Sequence, residues 1–166
     1  MARRGTVDTS ILLTLGEASA LSLLWEEPRY VWHITPIVRS EVTTEPTRGE
    51  LSRALLDGAL SATELDPDSE EELQIFARRT GTVDAGEAEA IAVAVSRGWV
   101  VAIEDRYAQR RLREARVPWV NSATLLLDAV RDGRMSLSEA DATFVRLDCY
   151  PGYRNRGVRS LADLGV

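Results

Sequence analysis

Between residues 84 and 105 the hydrophobic pattern changes from a helical period to a strand-like run. Ala88, Ile91, Ala92 and Val95 recur at i, i+3, i+4 and i+7, which predicts an amphipathic helix opening at Asp84 and stopped by Gly98. The next apolar stretch, Trp99 to Ile103, is rich in β-branched residues and too short for a helix, so it predicts a strand ending on Glu104 and Asp105. Upstream, a short strand ending at Asp8 leads into a helix through Ile11 to Leu15, with Thr9 or Ser10 as its cap. Arg3, Arg4 and Gly5 stand in that strand where apolar residues would be expected. A second apolar segment, Ala20 to Trp25, closes at Pro28, and Tyr30 to Thr35 alternates like a strand before Pro36 starts a helix through Val42.

The remaining segments follow the same alternation. Helices are predicted over Thr47–Ala59, Glu70–Arg79, Arg106–Arg116, Ala123–Arg131 and Ser136–Leu147. Ala62–Leu65 is a strand or a connection, and Val117–Asn121 is a final strand. Strands alternating with helices predict a parallel sheet with helices on both faces, a three-layer α/β domain. One domain over residues 1–148 with a tail over 149–166 fits a chain of 166 residues. No internal repeat interrupts it.

This topology gives the acids a direction. A helix feeding a parallel strand runs antiparallel to it, so the helix N-terminus and the strand C-terminus share one edge of the sheet, where sites of such sheets form. Asp8, Glu41, Glu87 or Glu89, and Glu104 or Asp105 all fall on that edge. Each also has a plain structural reading. Asp8 can cap the first helix, and Glu41 suits a helix N-terminal dipole. Glu87 lies three residues after Asp84, the spacing of a capping box, which favours Glu89 as the site residue of that pair. The two point about 200° apart on a helix and do not serve one ion equally. On a regular strand Glu104 faces away from Asp105, which favours Asp105.

Composition narrows the chemistry. The single His33 and single Cys149 give no soft ligand set, which argues against zinc. Oxygen ligands alone select Mg²⁺ or Mn²⁺, and a cation would hold crowded carboxylates ionised. His33, inside an apolar strand, reads as a satisfied core residue. The net charge of -6 argues against a general electrostatic grip on nucleic acid, although all 20 basic residues are Arg, a residue suited to phosphate. Thr9 or Ser10 could orient water or a phosphate. The basic helix from Arg106, with Arg110, could contact RNA phosphates or an acidic partner segment. The tail Tyr153-Arg154-Asn155-Arg156 combines stacking and charged groups. No apolar run approaches the roughly 20 residues of a membrane span. Met1–Gly5 lacks an apolar stretch behind its charge, so no secretory leader is expected and a cytoplasmic location is.

Val7-Asp8-Thr9-Ser10, Ile37 to Glu41 after a strand and Pro36, Gly86-Glu87-Ala88-Glu89-Ala90-Ile91-Ala92, and Ile103-Glu104-Asp105-Arg106, in that order, resemble the PIN-domain nucleases, most closely the branch carrying a GExEA helix. The similarity spans about Thr6 to Val130. It implies a Rossmann-like PIN fold and Mg²⁺- or Mn²⁺-dependent hydrolysis of RNA, often by the toxin of a toxin–antitoxin pair. Carried over by position, it implies Asp8, Glu41, Glu89 and Asp105 as the catalytic and metal set, with Glu87 as a further candidate ligand. An antitoxin partner and a homodimer are expected on the same ground. The competing expectation is a catalytically inactive PIN-like module that binds RNA or protein. A nucleotide-binding α/β domain ranks last, because no Gly-rich loop follows the first strand.

Overall fold

The computed structural model describes residues 1–148 and Leu161. In chain order the elements are β1 (Arg3–Val7), α1 (Thr9–Glu17), α2 (Ser22–Trp25), β2 (Tyr30–Ile34), α3 (Pro36–Glu41), α4 (Thr47–Leu56), β3 (Leu60–Ala62), α5 (Glu70–Arg79), α6 (Ala85–Arg97), β4 (Val100–Ala102), α7 (Arg106–Glu114), β5 (Trp119–Val120), α8 (Ser122–Arg131) and α9 (Leu137–Asp148). The five strands form one sheet in the order β3-β2-β1-β4-β5, and every neighbouring pair is parallel. Chain progression therefore reverses between β1 and β4, the place where an open α/β sheet leaves a crevice at its carboxyl edge.

The strand period sorts the core into two layers. Val100 and Ala102 join the cluster that holds Ile11, Leu15, Leu126 and Phe144, whereas Val101 and Ile103 pack with Ile91, Ala94 and Leu112. Trp32, the largest fully buried side chain, fixes one close approach. A Cβ at Gly5 would lie 2.4 Å from the Trp32 ring and 2.9 Å from the Val100 carbonyl oxygen, so β1 sits between β2 and β4 only with glycine at that point.

Most predicted elements are present, with several shifts. Arg3 and Arg4 do occupy β1, but their side chains are exposed at its outer end while Thr6 and Val7 are buried. Asp8, rather than Thr9 or Ser10, caps α1. β3 is Leu60–Ala62, earlier than expected, and β4 stops at Ala102, short of the two acids. Gly98 ends α6 in the left-handed conformation, φ 65°, as its position predicts. His33 is half-buried and stacks on Trp99 at a centroid distance of 4.5 Å, yet neither ring nitrogen has a hydrogen-bond partner, so it is not a satisfied core histidine. Burial, with the nearby Arg4 and Arg97 charges, lowers its pKa and favours the neutral ring.

Leu161 is fully buried, and its N–H donates to Asp141 Oδ1 at 2.9 Å. Cys149 and the Tyr153–Arg156 segment lie outside the described residues. Among the described residues, no helix is long and apolar enough to cross a membrane.

Candidate functional site

Two long-range hydrogen bonds hold the three elements that build the carboxyl edge. Thr6 Oγ1 donates to the Ala90 carbonyl at 2.9 Å, which ties β1 to α6. The Ile37 N–H donates to Glu89 Oε2 at 2.8 Å, which ties the start of α3 to α6. That backbone group is one of the donors a helix N-terminus leaves unpaired, and Thr35 at the cap position makes no side-chain bond there. A buried carboxylate is well suited to it.

Asp8 follows β1 and is almost wholly buried. Its Oδ2 accepts from the Ser10 N–H at 3.0 Å and from the Ser10 hydroxyl. Burial raises its pKa against those hydrogen bonds and one from the Thr9 N–H, and the charge of Glu41 adds to the rise. Glu41, at the end of α3, accepts from the Thr9 hydroxyl and from the Gly86 N–H at 3.1 Å. A Cβ at Gly86 would lie 2.2 Å from Glu41 Oε2, so glycine is what lets this carboxylate lie against the first turn of α6.

The Ser10 hydroxyl also accepts from the Glu104 N–H at 3.0 Å, joining the ends of β1 and β4. Glu104 lies beyond the end of β4, so the strand alternation expected to set its direction does not reach it; it accepts from the Ser122 N–H at 3.1 Å at the start of α8. Burial pushes its pKa up to about 7. Asp105 caps α7 by accepting from the Ala108 N–H at 2.7 Å.

Glu87 differs from all of these. Its Oε1 is buried and accepts no hydrogen bond. The capping box expected with Asp84 is not formed, since the Asp84 side chain makes no cap bond. Burial raises the Glu87 pKa to about 7, and the charges of Asp8, Asp105 and Asp84 push it the same way, with Arg79 opposing. Glu87 is thus within electrostatic reach of Asp8 and Asp105, whereas Glu89, the residue expected to bind metal, accepts from the start of α3.

Of the expected positions, Asp8 feels the charge of Glu41, and Asp8 and Asp105 both act on Glu87, while Glu89 accepts from Ile37 at the start of α3. Among the described residues no three Asp, Glu, His or Cys side chains already close into a metal cage. The donor set nevertheless fits a hard cation: its atoms are carboxylate oxygens, one of them buried without a donor, and each charge raises the cost of its neighbours.

Of the residues expected to meet substrate, Thr9 and Ser10 spend their hydroxyls on Glu41 and Asp8. Arg110 pairs with Glu114 at 3.0 Å, and Arg106 opens α7 close enough to favour the charged form of Glu104. Sequence reasoning missed Gly86 as the seat of Glu41, and it missed Arg79; Arg111 it placed on the basic helix without linking it to the acids. Arg79 feels the charges of both Glu87 and Arg111. Burial and Arg111 lower the Arg79 pKa, which Glu87 raises. Arg79 ends α5 and Arg111 lies in α7, and no spacing signal joins them.

A parallel α/β sheet with acids at its switch point defines a class of protein that acts on ligands across the carboxyl edge of the strands. The chain belongs to the PIN-domain family: a family model described as a PIN domain matches residues 5–154. Members are generally nucleases, typically use divalent metals and act on nucleic acid. The fold is similar to that in the crystal structure of PAE2754 from Pyrobaculum aerophilum, with 21% identity, a TM-score of 0.50, and coverage of 79% of this chain and 99% of that one. No curated protein matches.

Proposed function

We propose that the protein is a Mg²⁺- or Mn²⁺-dependent endoribonuclease whose metal set is Asp8, Glu41, Glu87 and Asp105. The observation that carries this reading is the Glu87 carboxylate, one oxygen of which is buried without a donor among the described residues, within electrostatic reach of Asp8 and Asp105. A group so placed is costly unless a cation accompanies it. Glu87 takes the place of Glu89 in the set implied by the resemblance because one Glu87 oxygen is buried without a donor and the charges of Asp8 and Asp105 act on it, whereas Glu89 Oε2 accepts from α3.

The chain's own residues then divide the work. Asp8, Glu41, Glu87 and Asp105 would hold the ion, and a bound Mg²⁺ or Mn²⁺ supplies the Lewis acidity that activates water and stabilises charge on the phosphodiester. Ser10 and Thr9 orient Asp8 and Glu41 through their hydroxyls, so neither carboxylate must reorganise from free rotamers. Arg79 and Arg111 stand on the Glu87 side, where guanidinium groups favour the approach of a phosphate backbone.

RNA cleavage in Mn²⁺, with and without EDTA, tests the reading. The parent cleaves only with metal and Asp8→Asn loses activity; equal cleavage by both proteins would remove the proposal. The family resemblance extends the reading to the toxin of a toxin–antitoxin pair acting as a homodimer in the cytoplasm. Release from growth arrest by a co-expressed neighbouring antitoxin, and the mass in solution, test those parts.

A second reading has its own observation. Asp8, Glu41 and Asp105 each accept a backbone N–H, as purely structural caps would. On that reading the protein is a non-catalytic RNA- or protein-binding module. It predicts that Mn²⁺ does not bind and that Glu87→Gln is without functional effect.

A further inference from the structure

We infer that the cavity at the carboxyl ends of β2 and β3 is a subsite for one nucleotide of single-stranded RNA, with its phosphate on Arg39, beside the scissile phosphodiester. The inference rests on the nuclease reading for what happens next door, but on separate residues for binding.

The cavity has a volume of about 340 Å³. That lies at the small end of the roughly 300–1,000 Å³ of ligand pockets, room for one unstacked base and its sugar rather than a duplex. Ile34, Pro36 and Ala62 give it apolar walls, the surface a base face seeks. Thr35 and Thr63 add hydroxyls, and Arg39 lines it as well.

Two observations favour a nucleotide over an apolar ligand. The Thr35 side chain is fully buried, lines the cavity, and its Oγ1 has no hydrogen-bond partner. Natural interiors seldom leave such a group unsatisfied without a functional reason. Arg39 is exposed; its backbone N–H donates to the Thr35 carbonyl at 3.0 Å, but among the described residues its guanidinium makes no hydrogen bond or ion pair, although the chain carries excess acid to pair with it. A guanidinium left free at the rim of an apolar slot matches a phosphate joined to a base. Thr63, by contrast, is fixed: its Oγ1 accepts from Arg97 at 3.0 Å, which holds that wall in place.

Position supplies the link to the acids. β2 is the immediate neighbour of β1, whose end carries Asp8, and strands lie about 4.8 Å apart. Arg39 is on α3, the helix whose last residue is Glu41, so the cavity and the acids are built on the same short element although the two side chains leave it in different directions. A strand whose scissile phosphate lies over the acids would therefore pass its adjoining nucleotide across the ends of β2 and β3.

The test is binding of a short fluorescent single-stranded oligouridylate in EDTA, as a function of salt, with cleavage in Mn²⁺ measured in parallel on parent, Arg39→Ala, Ala62→Trp and Asp8→Asn. Arg39→Ala should weaken binding on the order of tenfold and lower the salt slope by about 1, as the loss of one phosphate contact does. Ala62→Trp, which fills the slot and removes no charge, should weaken binding with the salt slope unchanged. Both should raise KM and leave kcat near the parent's. Circular dichroism confirms that each variant is folded. Affinity within about twofold of the parent in both folded variants would overturn the subsite, whatever Asp8→Asn does. Parent-like cleavage by Asp8→Asn with weakened binding by Arg39→Ala would instead remove the nuclease reading and leave the subsite standing.

Discussion

Glu87 and Glu89 stand one residue apart on α6 and have opposite surroundings. Glu89 accepts a backbone N–H from α3, while Glu87 Oε1 accepts nothing among the described residues and its carboxylate feels the charges of Asp8 and Asp105. Isosteric substitution separates the two roles. Glu87→Gln should cut Mn²⁺-dependent cleavage by about 10²–10³-fold, the scale seen when one group that stabilises developing charge is lost. Glu89→Gln keeps a carbonyl oxygen for the Ile37 N–H and should stay within about tenfold of the parent, whereas Glu89→Ala frees the start of α3 and should lose about 10–100-fold. Steady-state kinetics on the three variants checks this; parent-like activity in Glu87→Gln with loss in Glu89→Gln would reverse the assignment. Gly86→Ala adds a second residue-scale expectation. The added Cβ meets the far end of the Glu41 side chain, which can swing away, and alanine is the better helix former by up to about 1 kcal/mol. Melting should shift little while cleavage falls about 100-fold, because Glu41 leaves its seat. The sequence placed the acids on one edge, but it could not choose between Glu87 and Glu89. Positions 88 to 94 of α6 are all buried, so the helix has no solvent face there from which to read its phase.

Among the elements, α5 and α6 are joined by a clamp of a different kind. Glu72 is buried; it accepts from Arg97 Nε at 2.7 Å and Nη2 at 3.1 Å, from the Ser96 hydroxyl at 2.7 Å and from the Asp66 N–H at 2.7 Å. Burial disfavours the charge, but the bonds from Arg97, Asp66 and Ser96 outweigh it and hold the pKa below the ordinary 4.5. A carboxylate depressed in the folded state stabilises the fold above its unfolded pKa and loses that contribution as pH falls through the folded value. Glu72→Gln should therefore destabilise by about 2 kcal/mol at neutral pH, and the gap to the parent should close below about pH 4.5. Urea melts at several pH values measure it; a gap independent of pH would show that charge is not what binds the clamp. Element existence was legible because most helices show their period and caps, as Ser69 before α5 and Asn121 before α8 do. Element ends were less so. The Ile103 N–H still continues the ladder to the Val120 carbonyl at 2.9 Å, but the next N–H on the β1 side, that of Glu104, goes to a side chain, Ser10, and the strand ends. That pairing depends on a residue 94 positions away, which no local pattern reveals.

In the whole molecule, the reversal of chain progression between β1 and β4 is what brings Asp8 and Asp105 to one crevice. Alternating strands and helices foretold a parallel sheet, but its strand order depends on long-range packing. The same packing draws Leu161 into the core, fully buried against residues far upstream. Leu161→Ala should cost about 2–4 kcal/mol by thermal or urea melting, and a cost near zero would show that the C-terminal segment contributes nothing to the fold. With a net charge of -6, the proposed RNA substrate would meet an edge rich in carboxylates. A bound divalent ion would resolve that conflict, and it is the feature on which the proposed function turns. The most direct measurement is a Mn²⁺ titration followed by electron paramagnetic resonance on the parent and on Glu87→Gln. The account predicts saturable binding by the parent and an affinity on the order of tenfold or more weaker in the variant. Equal binding by the two proteins, or cleavage of RNA by a parent that binds no Mn²⁺, would contradict it.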